Sequence, residues 1–173
     1  MSSPDLNDTD RQAVIDVINT PILSMGKYTN DFEKAFCDLT GAKHAIAVNS
    51  GTAGLHLCVR AAGIGADDLV ITTPFSFVAS SNGLLFENAI PVFVDIDPGT
   101  FNIDVSRIED AITPQTKAIV PVHLFGQCAD MPAIRALCDP RGIHVLEDAA
   151  QAIGSEWKGK RAGTMGVGAC FSF

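Results

Sequence analysis

Short apolar runs alternate with stretches of helical period along most of the chain. The apolar runs Ala45–Val48, Leu69–Thr72, Pro91–Val94, Ala118–Val122, Ile143–Leu146 and Gly168–Phe173 predict six strands. The periodic stretches predict helices over Thr9–Ile18, Asn30–Leu39, Ala53–Ala62, Phe77–Phe86, Val105–Ala111 and Met131–Cys138. Strands that are apolar almost throughout, separated by helices, predict a mostly parallel sheet covered on both faces. The helix Ala53–Ala62 is apolar nearly all round, through Leu55, Leu57, Cys58, Val59, Ala61 and Ala62, and is expected to be buried. The final run, Gly168-Ala169-Cys170-Phe171-Ser172-Phe173, reads as a core strand with alternating phenylalanines. The polar, glycine-rich segment Gly154–Gly166 reads as an exposed excursion before it.

In parallel sheets of this kind ligands gather at the carboxyl ends of the strands, so the residues that follow each strand are the candidates for chemistry. After Ala45–Val48 comes Asn49-Ser50-Gly51-Thr52-Ala53-Gly54. Here Gly51 permits a tight turn, and Thr52 and Ala53 offer backbone N–H groups to an anion at a helix N-terminus; simple capping by Ser50 or Thr52 explains the same residues. The stretch is no Walker loop, and Gly63-Ile64-Gly65 follows a helix and lacks the third glycine of a dinucleotide fingerprint. Thr73-Pro74-Phe75-Ser76-Phe77 places two aromatics at a strand end, as a face for a flat ring or as ordinary core. Asp95-Ile96-Asp97-Pro98-Gly99 lacks the glycine position and closing glutamate of a calcium loop, and is read as a turn into a helix starting near Asp104. Glu147-Asp148 ends an apolar strand: Asp148 either caps a short helix or aims a carboxylate at a cationic ring nitrogen or a metal. His44, His56, His123 and His144 are scattered, and only His123 ends a strand, so the sequence holds no histidine–cysteine cluster to support a metal.

Composition changes the picture mainly by exclusion. The chain has 173 residues, 47% of them apolar and 18% charged, which suits one globular domain. The net charge of −8 comes without any dense Lys/Arg run, so a nucleic-acid surface is not expected. Cys37, Cys58, Cys128, Cys138 and Cys170 are odd in number and form no CxxC pair, which reads as reduced thiols in a cytoplasmic protein. The polar N-terminus resembles no targeting peptide, and no apolar run reaches the length of a membrane span.

Six blocks in order, VNSGTAGLHL, TTPFSFVASSN, PVFVDIDPGTFNID, AITPQTKAIVPVHLFG, LEDAAQAIGS and GACFSF, resemble the DegT/DnrJ/EryC1/StrS family of sugar aminotransferases, from about Leu23 to Phe173. The resemblance implies a three-layer α/β/α large domain of the aspartate-aminotransferase type (fold type I, pyridoxal phosphate) over residues 23–173, preceded by a helical segment 1–22. It implies that Thr52, Ala53 and Ser172 hold the phosphate of pyridoxal 5'-phosphate. Phe77 then stacks on the ring, Asp148 pairs with the ring nitrogen and Gln151 meets the phenolic oxygen.

The implied reaction is transamination of a nucleotide-linked keto-sugar, with an amino acid such as glutamate as donor, in a homodimer whose Gly26-Lys27-Tyr28 stretch approaches the partner's site. In the family the lysine that forms the Schiff base follows the FSF strand within a few residues, beyond Phe173, and histidine stands there in the related sugar dehydratases. Lys27, Lys34, Lys43, Lys117, Lys158 and Lys160 are not placed to replace it. The family's next strand, lying between Ala45–Val48 and Gly168–Phe173, and its small C-terminal domain are expected to be absent. The large domain is therefore expected to be incomplete at the C-terminus, and the 173 residues alone to be inactive and prone to aggregate through open sheet edges.

Overall fold

The computed structural model describes residues 4–173. Five strands form one parallel sheet in the order β2-β1-β3-β4-β7: β1 Leu69–Thr72, β2 Ile90–Phe93, β3 Thr116–Ile119, β4 His144–Asp148 and β7 Gly168–Cys170. A separate antiparallel hairpin, β5 Glu156–Trp157 and β6 Lys160–Arg161, lies in the predicted excursion. The helices are α1 Asp8–Ile18, α2 Lys27–Thr40, α3 Gly51–Ala61, α4 Ala79–Leu85, α5 Ile108–Ala111 and α6 Met131–Cys138.

Each strand sends alternate side chains to opposite layers. Val70, Ala118, Val120 and Leu146 pack with Val59 of α3 and Leu84 of α4. Ile71, Ile119 and Val145 pack with Ile108 of α5 and Met131, Ile134 and Cys138 of α6. A two-residue period therefore builds two cores from runs that are apolar at every position, and the α/β three-layer architecture follows. The helix predicted over Val105–Ala111 divides into a 3₁₀ turn, Val105–Arg107, and the single turn α5. The first turn of α6 is capped by Asp130, whose carboxylate accepts from the Ala133 N–H at 3.1 Å.

Three expectations fail. Ala45–Val48 is extended but joins no sheet. Its Ala47 N–H donates to Glu33 of α2 at 2.8 Å rather than to a strand, and Ile46 is 78% exposed. A β-segment needs a ladder partner, and a cleft of about 1120 Å³ separates these residues from β7. The same cleft leaves Leu57 and Ala61 on the open side of α3, so this helix buries only Leu55 and Val59, not its full circumference. The closing strand is also shorter than predicted. It ends at Cys170, and Ser172 and Phe173 are exposed. Phe171 and Phe173, two residues apart, turn to α2, with ring centroids of Phe36 and Phe171 4.9 Å apart and of Phe32 and Phe173 5.7 Å apart. The alternate residues Cys170 and Ser172 turn to α3, which places Ser172 at a helix N-terminus.

Candidate cofactor site

Six predicted residues, Thr52, Ala53, Phe77, Asp148, Gln151 and Ser172, lie at or just beyond the carboxyl edge of the sheet, carried by four neighbouring segments. Asp148 is the last residue of β4, opposite Cys170 of β7. Its backbone is held on the other side, where the Asp148 N–H donates to Pro121 O and its carbonyl accepts from the His123 N–H, both at 2.9 Å. The side chain is only 4% exposed. Its Oδ2 accepts from Ser80 Oγ at 2.6 Å and its Oδ1 from the Ala150 N–H at 3.2 Å. The second bond caps a turn, where the sequence suggested a cap on a short helix. A carboxylate offers about four lone-pair sites, so two accepted bonds leave room for a further donor.

Close packing of α3 on β7 shapes the anion end. The sulfur of Cys170 donates to Gly51 O at 3.1 Å. A Cβ on Gly51 would lie 2.8 Å from Ser172 Cβ, and one on Gly54 would lie 2.6 Å from Cys170 Sγ. Glycines one helical turn apart thus receive residues two apart, Cys170 at the end of β7 and Ser172 just beyond it, and only glycine permits the approach. The result sets the Ser172 hydroxyl against the α3 N-terminus. Ser50 Oγ accepts from the Ala53 N–H at 3.2 Å, so this N–H is already capped; the N–H groups of Gly51 and Thr52, ahead of the first intrahelical bond, are the ones available to an anion. Burial pushes the Cys170 thiol up to about 12, with Asp148 and Cys58 adding to the shift, so the thiol remains a protonated donor.

Gln151 is exposed, and its Oε1 accepts from the Phe125 N–H at 2.9 Å. Because a backbone N–H faces the oxygen, the amide NH₂ is the group left to meet a ligand. Phe77 is 73% exposed and lines a hollow of about 200 Å³ together with Thr73, Ser76 and Ser80. Its ring is a surface face rather than core, and so is that of Phe75, 46% exposed and 6.0 Å from the ring of Phe101. The much larger cleft beside β7 meets this site along the anion end, at Ser50, Gly51, Gly54, Cys170 and Ser172.

The second member of the acidic pair works elsewhere. Glu147 points to the opposite face and is fully buried with His123. The Ala129 N–H donates to His123 Nδ1 at 3.1 Å, so the ring proton sits on Nε2 and is donated to Glu147 Oε2 at 2.8 Å. The N–H groups of Gly163, Met165 and Gly166 donate to the same carboxylate at 2.6–2.7 Å. Burial pushes the Glu147 carboxyl up, but the bonds from His123, Gly163 and Gly166 outweigh it and hold the group below its usual value. His123 is therefore a partner of the excursion's anchor and not a ligand of the site. Among the described residues no group of three histidine, cysteine, aspartate or glutamate side chains could hold a metal, and all five cysteines are free. Asp97 accepts from the Gly99 and Thr100 N–H groups and Asp104 caps the 3₁₀ turn, as a turn and not a cation loop.

Sequence reasoning passed over Ser76 and Ser80. Their signal was their spacing around Phe77, one helical turn apart on the strand-end segment.

Residues 4–173 match the DegT/DnrJ/EryC1/StrS aminotransferase family, a span that begins ahead of Leu23. The GDP-perosamine synthase of Caulobacter vibrioides is 45% identical over 100% of this chain and 47% of its own length. A putative sugar aminotransferase of Streptococcus pneumoniae, solved in its PLP-form, superposes with a TM-score of 0.96 at 29% identity, over 99% of this chain and 48% of that one. A GDP-4-keto-6-deoxymannose-3-dehydratase solved with bound GDP-perosamine superposes with a TM-score of 0.92 at 30% identity, over 98% and 46%. The chain thus spans about half the length of the relatives it matches.

Proposed function

Because the chain belongs to the DegT/DnrJ/EryC1/StrS aminotransferase family, we propose that it forms the cofactor-binding part of an enzyme that transaminates a nucleotide-linked keto-sugar, using pyridoxal 5'-phosphate and an amino acid such as glutamate. The observation that carries the reading is Asp148: a buried carboxylate at the sheet's carboxyl edge that accepts at both oxygens and retains lone pairs for one more donor. Beside it stand an exposed aromatic face, an amide with a free NH₂, and a helix N-terminus closed by a serine hydroxyl. These fit a ring with a basic nitrogen, a phenolic oxygen and a phosphate.

In this reading the α3 N-terminus binds the phosphate through the N–H groups of Gly51 and Thr52, the hydroxyls of Thr52 and Ser172 and the helix dipole, while the Ala53 N–H stays with Ser50. Phe77 covers one face of the ring and keeps water from it. Gln151 donates its NH₂ to the phenolic oxygen. Asp148 holds a proton at the ring nitrogen by presenting a buried negative charge to it. Bound there, pyridoxal phosphate supplies the electron sink for the carbon that exchanges its amine. None of the chain's lysines that the sequence offers lines the hollow beside Phe77, so residues 1–173 alone are expected to bind but not turn over. The helix α1, which buries no residue, belongs in this reading to a separate segment 1–22. The half-exposed Tyr28 and the neighbouring Lys27 face a second copy in a cytoplasmic homodimer.

The test is glutamate-dependent conversion of a keto-sugar nucleotide by the whole enzyme, read as release of 2-oxoglutarate. Asp148→Asn lowers turnover by roughly a hundredfold, the order expected for losing one preorganised electrostatic partner. Turnover unchanged in that variant removes the assignment. A second reading, a sugar dehydratase, draws on the match to a dehydratase of the same fold. The two part at the position that follows the FSF strand in the family, where lysine supports transamination and histidine supports dehydration.

A further inference from the structure

The hydroxyls of Ser76 and Ser80 lie 2.8 Å apart, and Ser80 Oγ lies 2.6 Å from Asp148 Oδ2. The proton direction along this chain is determined. A carboxylate oxygen that accepts from Ser80 takes the only proton Ser80 has, so Ser76 must donate to Ser80. Donation into Ser80 polarises its own O–H and strengthens the bond to the carboxylate. Ser80 is 4% exposed and sits in the first turn of α4, and Ser76 precedes Phe77 in the turn after β1. Neither bond is needed to satisfy the helix, because α4 opens with backbone bonds from Ser80 and Asn82 to Phe77 and Val78.

We infer that Ser76 and Ser80 are a positioning relay that fixes the orientation of the Asp148 carboxylate and ties it to the turn bearing Phe77. The inference rests on the reading that Asp148 meets a ring nitrogen. Ser80 occupies one lone pair of Oδ2 and the Ala150 N–H one of Oδ1. The carboxylate therefore cannot rotate without breaking a bond, and its remaining lone pairs keep one direction. The same relay couples the group that meets the ring's edge to the group that covers its face, although the two come from different strands.

The experiment compares two ligands that need no lysine: pyridoxamine 5'-phosphate and its 1-deaza analogue, in which carbon replaces the ring nitrogen. Affinities are measured by fluorescence for the whole enzyme and its variants, with circular dichroism checking the fold. The unsubstituted enzyme prefers the nitrogen-bearing ligand. Ser80→Ala reduces that preference by about tenfold, the order of a hydrogen bond to a charged group, and leaves affinity for the deaza analogue within about twofold. Ser80→Thr, which keeps the hydroxyl, restores the preference. Ser76→Ala, at a partly exposed position, reduces it in the same direction by about threefold and serves where Ser80→Ala does not fold. Equal losses for both ligands make Ser80 a packing residue and overturn the relay, as does an undiminished preference in both alanine variants. Lack of any preference in the unsubstituted enzyme shows that Asp148 does not meet the ring nitrogen, and then the parent reading of the site fails together with the relay.

Discussion

Glu147 and Asp148 are chemically alike and adjacent, yet they do unrelated work. A strand sends successive side chains to opposite faces, so one carboxylate reaches the site and the other the α5/α6 layer. Glu147 gathers one histidine and three backbone N–H donors without exposure to water. Its loss leaves several buried donors unpaired. Glu147→Ala is therefore expected to cost about 3 kcal/mol or more in urea unfolding. The pH dependence has a definite sign. The folded pKa lies below the unfolded value of about 4.3, so the stabilisation is complete above that pH and is lost as pH falls through the folded value. The stability gap between the unsubstituted chain and Glu147→Gln should accordingly narrow as pH drops from about 5 toward 3. A gap that stays constant over that window assigns the effect to packing alone. The acidic pair is visible in sequence, but which member faces the site is decided by strand register.

At the scale of elements, the central event is α3 meeting β7. The proposed phosphate-binding end exists because Gly51 and Gly54 on one helix face receive Ser172 and Cys170 at the end of β7 and just beyond it. Adding a methyl at Gly54 forces that pair apart. Gly54→Ala is expected to destabilise the chain by about 2 kcal/mol through overpacking and to weaken binding of a phosphate-bearing ligand, read by thermal shift and by titration. Full affinity in the variant argues that helix and strand need not touch. Helix boundaries were legible to within two or three residues wherever an apolar face or a capping side chain marked them, as Asp130 does for α6. The segment 45–48 was misassigned because its composition is that of a strand, and composition carries no information about whether a partner backbone is present.

The whole molecule has one weak side. Along β7 the sheet ends in an open edge facing the cleft, and Ile46, Leu57, Val167 and Phe173 are each 46–81% exposed around it. An uncovered strand edge with apolar flanks is a template for pairing. The isolated chain is expected to self-associate with rising concentration in sedimentation velocity. A single monomeric species across the micromolar to hundred-micromolar range contradicts that. Replacing Val167 and Phe173 with lysine and glutamate is expected to shift the equilibrium toward monomer. The opposite edge, β2, shows Ile90 and Phe93 about half exposed, less than Ile46, Val167 and Phe173 beside β7, and so offers less to a partner.

The sequence by itself determined the alternation of strands and helices, the parallel α/β architecture, the family and the identity of the residues at the sheet's carboxyl edge. All of these reside in local pattern and in ordered motifs, which survive without knowledge of contacts. Only the tertiary structure decided which residues meet. It set Asp148 against Ser80, 68 positions away in the chain. It also brought Ser172 to Gly51, withdrew Glu147 and His123 into the core and left Ala45–Val48 unpaired. The reason is physical: hydrogen bonds and steric fit between distant segments depend on register and on the presence of a partner backbone, and neither is written in the residues that make one side of the contact.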